Sequence, residues 1–256
     1  MVITGPERRF CDALTHWILP GAVYTFVGAG GKTTAMKRIA SFLVDAGLKV
    51  RLTTTTRVGI EELKGVPVFF VRQPTDLPTA IAGDFPLGML VGSALHDTDK
   101  YQGIAPRLIE SLALDGGTVL LVEGDGSRRC PVKIPKEHEP VIPANTRTVF
   151  AVMGALAIDE PIDEIHCYNH EKALLLARRS GGILDVEMLA AISGDPQGSA
   201  KGVLSGMGFH LLINQGDVER KRPLAMAVMR RAHELYGVSG AVVSMQKGEL
   251  YARTDD

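Results

Sequence analysis

The sequence predicts an α/β fold, a mostly parallel sheet flanked by helices, on three observations. Short β-branched runs alternate with helix-period segments through the first half, the pattern of parallel strands joined by crossover helices. A glycine-rich stretch at 28–31 sits directly between a strand pattern and a helix pattern. The 256 residues, 45% of them hydrophobic, supply ample material for a buried core.

The elements follow in order. A helix is expected over 7–17, then a turn at Pro20-Gly21 and a strand over 22–27. Ala35, Met36, Ile39, Ala40, Leu43 and Val44 recur at helical spacing, which predicts a helix over 32–45 ended by Gly47. A strand over 49–54 comes next. Further strands are expected over 66–71, 87–91, 118–122, 148–153, 209–213 and 241–245, and helices over 104–114, 171–179, 186–192 and 218–236. The glycine-rich stretch 180–208, with Asp195-Pro196, reads as a loosely structured insertion able to carry a small helical lobe. The organisation expected is one domain over 1–256 with a small helical insertion at 155–207.

Charge narrows the partners. The 28 basic and 29 acidic residues nearly cancel and form no long basic run, which disfavours nucleic acid. No apolar stretch approaches the ~20 residues that cross a bilayer. The first residues carry charge and proline where a secretory signal has an apolar core. A cytoplasmic chain with no membrane partner is expected. Cys11, Cys130 and Cys167 are widely spaced and form no CxxC pair, which favours reduced thiols over disulfides or a thiolate zinc site.

The most informative motif is Gly28-Ala29-Gly30-Gly31-Lys32-Thr33-Thr34, at a strand-to-helix turn. Such a turn holds phosphate because backbone N–H groups point inward and the helix N-terminus adds partial positive charge. Lys32 would bring a full charge to the terminal phosphates of GTP or ATP, Thr33 a hydroxyl ligand for magnesium, and Thr34 a further hydrogen bond. The usual G-x-x-x-x-G-K-[ST] spacing fails, since Phe26 stands at the first glycine position. The compact loop resembles that of Mur ligases and, more loosely, the SIMIBI class of nucleotide-dependent accessory proteins, which makes the expected fold P-loop NTPase-like.

Companion motifs lie at the ends of other strands. The run Thr53-Thr54-Thr55-Thr56 closes the second strand, and Thr55 and Thr56 are its better candidates for meeting magnesium or its waters, Thr53 and Thr54 being good strand residues in any case. Glu123 and Asp125 follow the apolar run 118–122, where a Walker B acid belongs. One would bind magnesium or orient the attacking water, and which does which is open. Asn214-Gln215-Gly216-Asp217 resembles the NKxD motif of GTPases with glutamine for lysine: Asp217 would meet a guanine edge and Asn214 would brace neighbouring loops. Arg128, Arg129 and Lys133 form a local positive group. His166 and His170 would share one face of a helix, the spacing of a two-histidine metal site beside Cys167, although Tyr168-Asn169 breaks the periodicity and no third ligand is evident.

Taken in order, GAGGKTT, TTTTR, VEGDGSRRCPVKIPKEHEPVIP and LLINQGD resemble the YqeC family, described as accessory proteins, or selenium cofactor biosynthesis proteins, for selenium-dependent molybdenum hydroxylases. The resemblance implies a P-loop protein in the maturation of such a hydroxylase, with that enzyme or its cofactor machinery as partner. By motif position it adds Lys133 as an anion holder and His138 and Glu139 as proton-transfer or metal-binding groups. The leading expectation is a nucleotide- and magnesium-binding accessory NTPase. Two alternatives stand beside it: an ATP-dependent ligase or kinase-like transferase acting on a small acid, and a non-catalytic carrier of a molybdenum cofactor or selenium species.

Overall fold

The computed structural model describes residues 10, 13–95, 98–176 and 182–254. Along the chain run β1 (Ala22–Gly28), α1 (Lys32–Asp45), β2 (Lys49–Thr54), β3 (Arg57–Gly59), β4 (Val68–Phe70), α2 (Leu77–Ala82), β5 (Leu87–Val91), β6 (Ser93–Ala94), β7 (Lys100–Gln102), α3 (Pro106–Glu110) and β8 (Thr118–Glu123). The second half adds β9 (Val132–Lys133), β10 (Thr146–Gly154), β11 (Cys167–Tyr168), α4 (His170–Leu176), α5 (Val186–Gly194), β12 (Gly208–Asn214), α6 (Arg222–Tyr236), β13 (Ser239–Ser244) and β14 (Glu249–Arg253).

Among the described residues one nine-stranded sheet forms in the order β14-β13-β12-β10-β1-β8-β2-β5-β4, parallel throughout except for β13 with β14. The chain is therefore α/β, as expected from the alternating pattern. Central strands are apolar on both faces because helices cover both. On β1, Tyr24 and Phe26 face the core that contains Ile39 and Leu43 of α1, while Val27 faces the one that contains Leu189 of α5 and Val228 of α6. On β8, Leu120 and Val122 join Ile81 of α2 and Ile109 of α3 in a third cluster. Helix α1 buries Ala35, Met36, Ile39, Ala40 and Leu43, a stripe at helical spacing. Each of the larger side chains in it contributes about 1.5–3 kcal/mol.

Several boundaries differ from expectation. The helix expected at 218–236 begins at Arg222, because Pro223 supplies the first turn and 218–221 form a turn before it. The one expected at 104–114 shrinks to α3, which starts on Pro106 and ends at Glu110, followed by Ser111, whose hydroxyl bonds back to Leu108 O at 2.9 Å. The strand expected at 66–71 is only β4. Of the helix expected at 7–17, residues 10 and 13–15 are helical and the rest of its first half lies outside the described residues, as does the end of the one expected at 171–179. Within the stretch expected as an insertion, the helix expected at 186–192 forms as α5, capped by the Asp185 side chain on Met188 N at 2.8 Å.

Two small sheets were not expected. Strands β3, β7 and β6 form an antiparallel patch, and β9 pairs with β11 in parallel. The second of these helps build the site below.

Candidate functional site

Phe26 remains part of the sheet. It is fully buried, aligned with Glu123 on β8 and Phe150 on β10, and stacks on the Phe150 ring at 5.0 Å. The loop thus begins at Gly28, and position 26 has no turn to make. Gly28 (φ 93°) and Gly30 (φ 73°) take left-handed backbone. A Cβ on Gly30 would meet Gly154 N at 2.1 Å, and one on Gly28 would meet the Val152 carbonyl oxygen at 2.4 Å. Glycine is required where this loop passes the end of β10.

Along that passage three of the loop's N–H groups bond within the protein. Ala29 N donates to Val152 O at 2.9 Å, Gly30 N to Cys130 O at 3.2 Å, and Gly28 N to both carboxylate oxygens of Asp125 at 3.1 Å. The donors left to an anion are those of the first turn of α1, whose N-cap, Gly31, provides no side-chain hydrogen bond and which carries no acidic residue in that turn.

Lys32 lies under this turn, its side chain only 2% exposed. Its Nζ donates to Gly28 O at 2.6 Å and stands 3.2 Å from Asp125 Oδ1 and 3.6 Å from Glu123 Oε1. Asp125 is held on its other side by Lys133 Nζ at 3.0 Å. The pairing of β9 with β11 sets Lys133 opposite Tyr168, with its Nζ 5.1 Å from the ring. Lys133 also donates to Gly126 O at 2.5 Å and binds Glu139 Oε2 at 2.8 Å. Burial alone would raise the Glu139 carboxyl, yet the Lys133 hydrogen bond and charge hold it below its ordinary value.

Glu123 ends β8. Thr33 Oγ1 lies 3.4 and 3.5 Å from its two carboxylate oxygens. Burial pushes this carboxyl above its ordinary range, Lys32 opposes the shift, and Asp125 adds to it. The threonine run serves the Glu123 backbone: Thr54 Oγ1 and Thr55 Oγ1 donate to Glu123 O at 3.1 and 3.3 Å, and Thr55 N to the same oxygen at 3.0 Å. Thr55 thus meets the backbone of Glu123, whereas Thr33 meets its carboxylate. Thr56 Oγ1 pairs with Thr54 Oγ1 at 3.0 Å, and Thr53 donates to Leu90 O.

Asn214 Nδ2 donates to Gly30 O at 2.8 Å and Asn214 Oδ1 accepts from Met245 N at 2.9 Å, so Asn214 ties the loop to the end of β13. Asp217 lies apart from this cluster, 3.7 Å from Lys247 Nζ. His138 and Thr34 are exposed, and His138 makes no hydrogen bond with a described residue. The shared helix face for His166 and His170 does not form: Cys167 and Tyr168 are strand, and His166 Nδ1 sits 2.8 Å from Asp163 Oδ1. Among the described residues no three His, Cys, Asp or Glu side chains are grouped to hold a metal ion.

Tyr168 is the residue that sequence reasoning missed. The Arg128 guanidinium and the Lys133 and Lys136 ammonium groups lie 5.7, 5.1 and 5.3 Å from its ring. Arg128 (φ 48°) and Arg129 (φ 67°) are consecutive left-handed residues in the turn that brings Cys130 O to the loop. A two-residue strand has no periodicity that would have marked Tyr168.

Fold and site define an α/β protein in which a glycine turn after a central parallel strand holds a buried lysine against two carboxylates. Residues 24–171 match the family described as YqeC protein. The "Uncharacterized protein YqeC" of Escherichia coli (strain K12) is 34% identical over 196 residues, 75% of this chain and 75% of that one. The chain belongs to the YqeC family. The matched stretch contains the glycine loop, Glu123, Asp125 and the Lys133 to Glu139 segment, whereas Asn214 lies beyond it. Among the described residues no helix is long and apolar enough to cross a membrane.

Proposed function

We propose that this chain binds the triphosphate of GTP or ATP with magnesium and hydrolyses it as an accessory NTPase, in the maturation of a selenium-dependent molybdenum hydroxylase. The observation that carries the reading is Lys32, buried at the head of α1 within 3.6 Å of both Glu123 and Asp125. A lysine, a helix start without an acid and a pair of carboxylates at the C-terminal edge of a parallel sheet suit a phosphate chain with its cation. Thr33 and Glu123 fit magnesium, since neighbouring ligands of an octahedral ion at about 2.1 Å stand about 3 Å apart, close to the 3.4 Å between them. The ion would screen the developing charge on the transferred phosphoryl group. Glu123 would hold it, and Asp125, engaged with Gly28 N and two lysines, would organise the loop.

Titration calorimetry with magnesium and GTP, then ATP, tests the reading. Micromolar binding of at least one nucleotide is expected, weakened about a hundredfold or more by Lys32→Ala, the loss of a charged contact to phosphate. No binding of either nucleotide at millimolar concentration sinks it.

A further inference from the structure

Strands β4 and β5 end beside one another at Phe70 and Val91, on the same edge of the sheet as the glycine loop. Beyond them the chain opens a groove of about 580 Å³ between 71–74, Gly92, Gly103 and helix α3. That volume falls within the range of about 300–1,000 Å³ usual for small-molecule sites. Val71, Pro74 and Leu108 give the groove an apolar body, and Arg72 and Arg107 are its two basic lining residues, the Arg72 guanidinium lying 5.5 Å from the centre of the Phe70 ring. No carboxylate lines it, and neither arginine forms a salt bridge with a described residue. The nearby Asp76 accepts at Oδ2 from the backbone N–H groups of Arg72 and Gln73, at 2.8 and 3.1 Å, and these bonds, with a smaller part from the Arg72 charge, hold its carboxyl below the ordinary value.

The groove shares a wall with the phosphate site. Gly103 N donates to Thr56 O at 2.8 Å, and a Cβ on Gly103 would meet Thr54 O at 1.8 Å, so this backbone lies directly on the threonine run that fixes Glu123. In the sheet β5 stands two strands from β8, about 10 Å at about 4.8 Å per strand.

We propose that this groove binds a small organic anion, a carboxylate or phosphate group on an apolar or aromatic body, held by Arg72 and Arg107. Its assignment as the second-substrate site of the chain rests on the nucleotide reading; binding itself does not. An anionic group with two free oxygens gains paired N–H contacts from guanidinium, and an apolar body replaces water along Val71 and Leu108.

The test uses two fluorescent probes with the full chain and no nucleotide: anilinonaphthalene sulfonate, and phenylnaphthylamine, which has the same body without the charge. Saturable binding near one per chain is expected, about tenfold tighter for the sulfonate. Arg72→Ala with Arg107→Ala should bring the sulfonate to the level of the neutral probe. Ser111→Trp, an exposed change at the rim, should weaken both, with circular dichroism confirming that each variant is folded. Lys32→Ala should leave both unchanged. Equal affinity of the two probes, indifference to the arginine pair or to Ser111→Trp, or loss of binding on Lys32→Ala overturns the proposal. If nucleotide fails to bind while the probes behave as expected, the groove stands and only its second-substrate role falls.

Discussion

Glu123 shows what a single position costs the folded chain. Its side chain is 18% exposed, and burial raises its carboxyl above the ordinary glutamate value of 4.5. A carboxyl raised on folding binds its proton more tightly in the native state, so stability falls as pH rises through the interval between 4.5 and the raised value. Glu123→Gln removes that penalty and keeps an oxygen for Thr33. It should raise the urea midpoint at pH ~7.5, and much less at pH ~4, below the ordinary glutamate value, where the wild-type carboxyl also carries its proton. An equal gain at both pH values would show that charge is not the cause. At this scale the sequence marks residue types well, for the Lys32, Thr33 and Glu123 grouping follows from their places after β1 and β8. It does not mark partners. Nothing in a one-dimensional spacing says that Asp125 meets Lys133, that Thr55 turns to a backbone carbonyl, or that Arg72 and Arg107 line one groove.

At the scale of elements, long strands and helices were readable because their burial repeats over several turns or pleats, as in α1 and in β8. Strands β3, β6, β7, β9 and β11 were not, since two or three residues complete no period. Strand β14 was missed for another reason: Glu249–Arg253 is a half-buried antiparallel edge whose pattern carries little apolar signal. Arg51 in β2 illustrates a different kind of concealment. It is wholly buried, and its donors reach Val50 O, Ala80 O, Ile81 O, Gly83 O and Phe85 O, so that one side chain closes the C-terminal end of α2 and the turn after it. Arg51→Met would leave several carbonyls without partners and should cost about 3 kcal/mol in urea unfolding. Arg51→Lys should recover little, because an ammonium lacks the guanidinium fork. Stability within about 0.5 kcal/mol of wild type for Arg51→Met would contradict this account.

At the scale of the whole molecule, the glycine loop depends on chain far from itself: Gly154 closes against it from β10, Cys130 O from the turn after β8, and Asn214 from 184 residues away. Nucleotide binding should therefore stabilise the whole chain, by about 2.7 kcal/mol at a hundredfold excess over Kd. The same assembly gives Lys32 and Lys133 a resident counter-ion in Asp125. On the proposed nucleotide reading, an arriving phosphate would not fill a bare positive pocket there; it would be exchanged for a tethered carboxylate, and its affinity would be the difference between two such contacts. Asp125→Asn should accordingly tighten magnesium-nucleotide binding about tenfold in calorimetry while lowering the urea midpoint of the ligand-free chain. A parallel loss of both would mean that Asp125 supports the bound state as well. On that reading affinity and resting order would draw on one carboxylate, and each would limit the other.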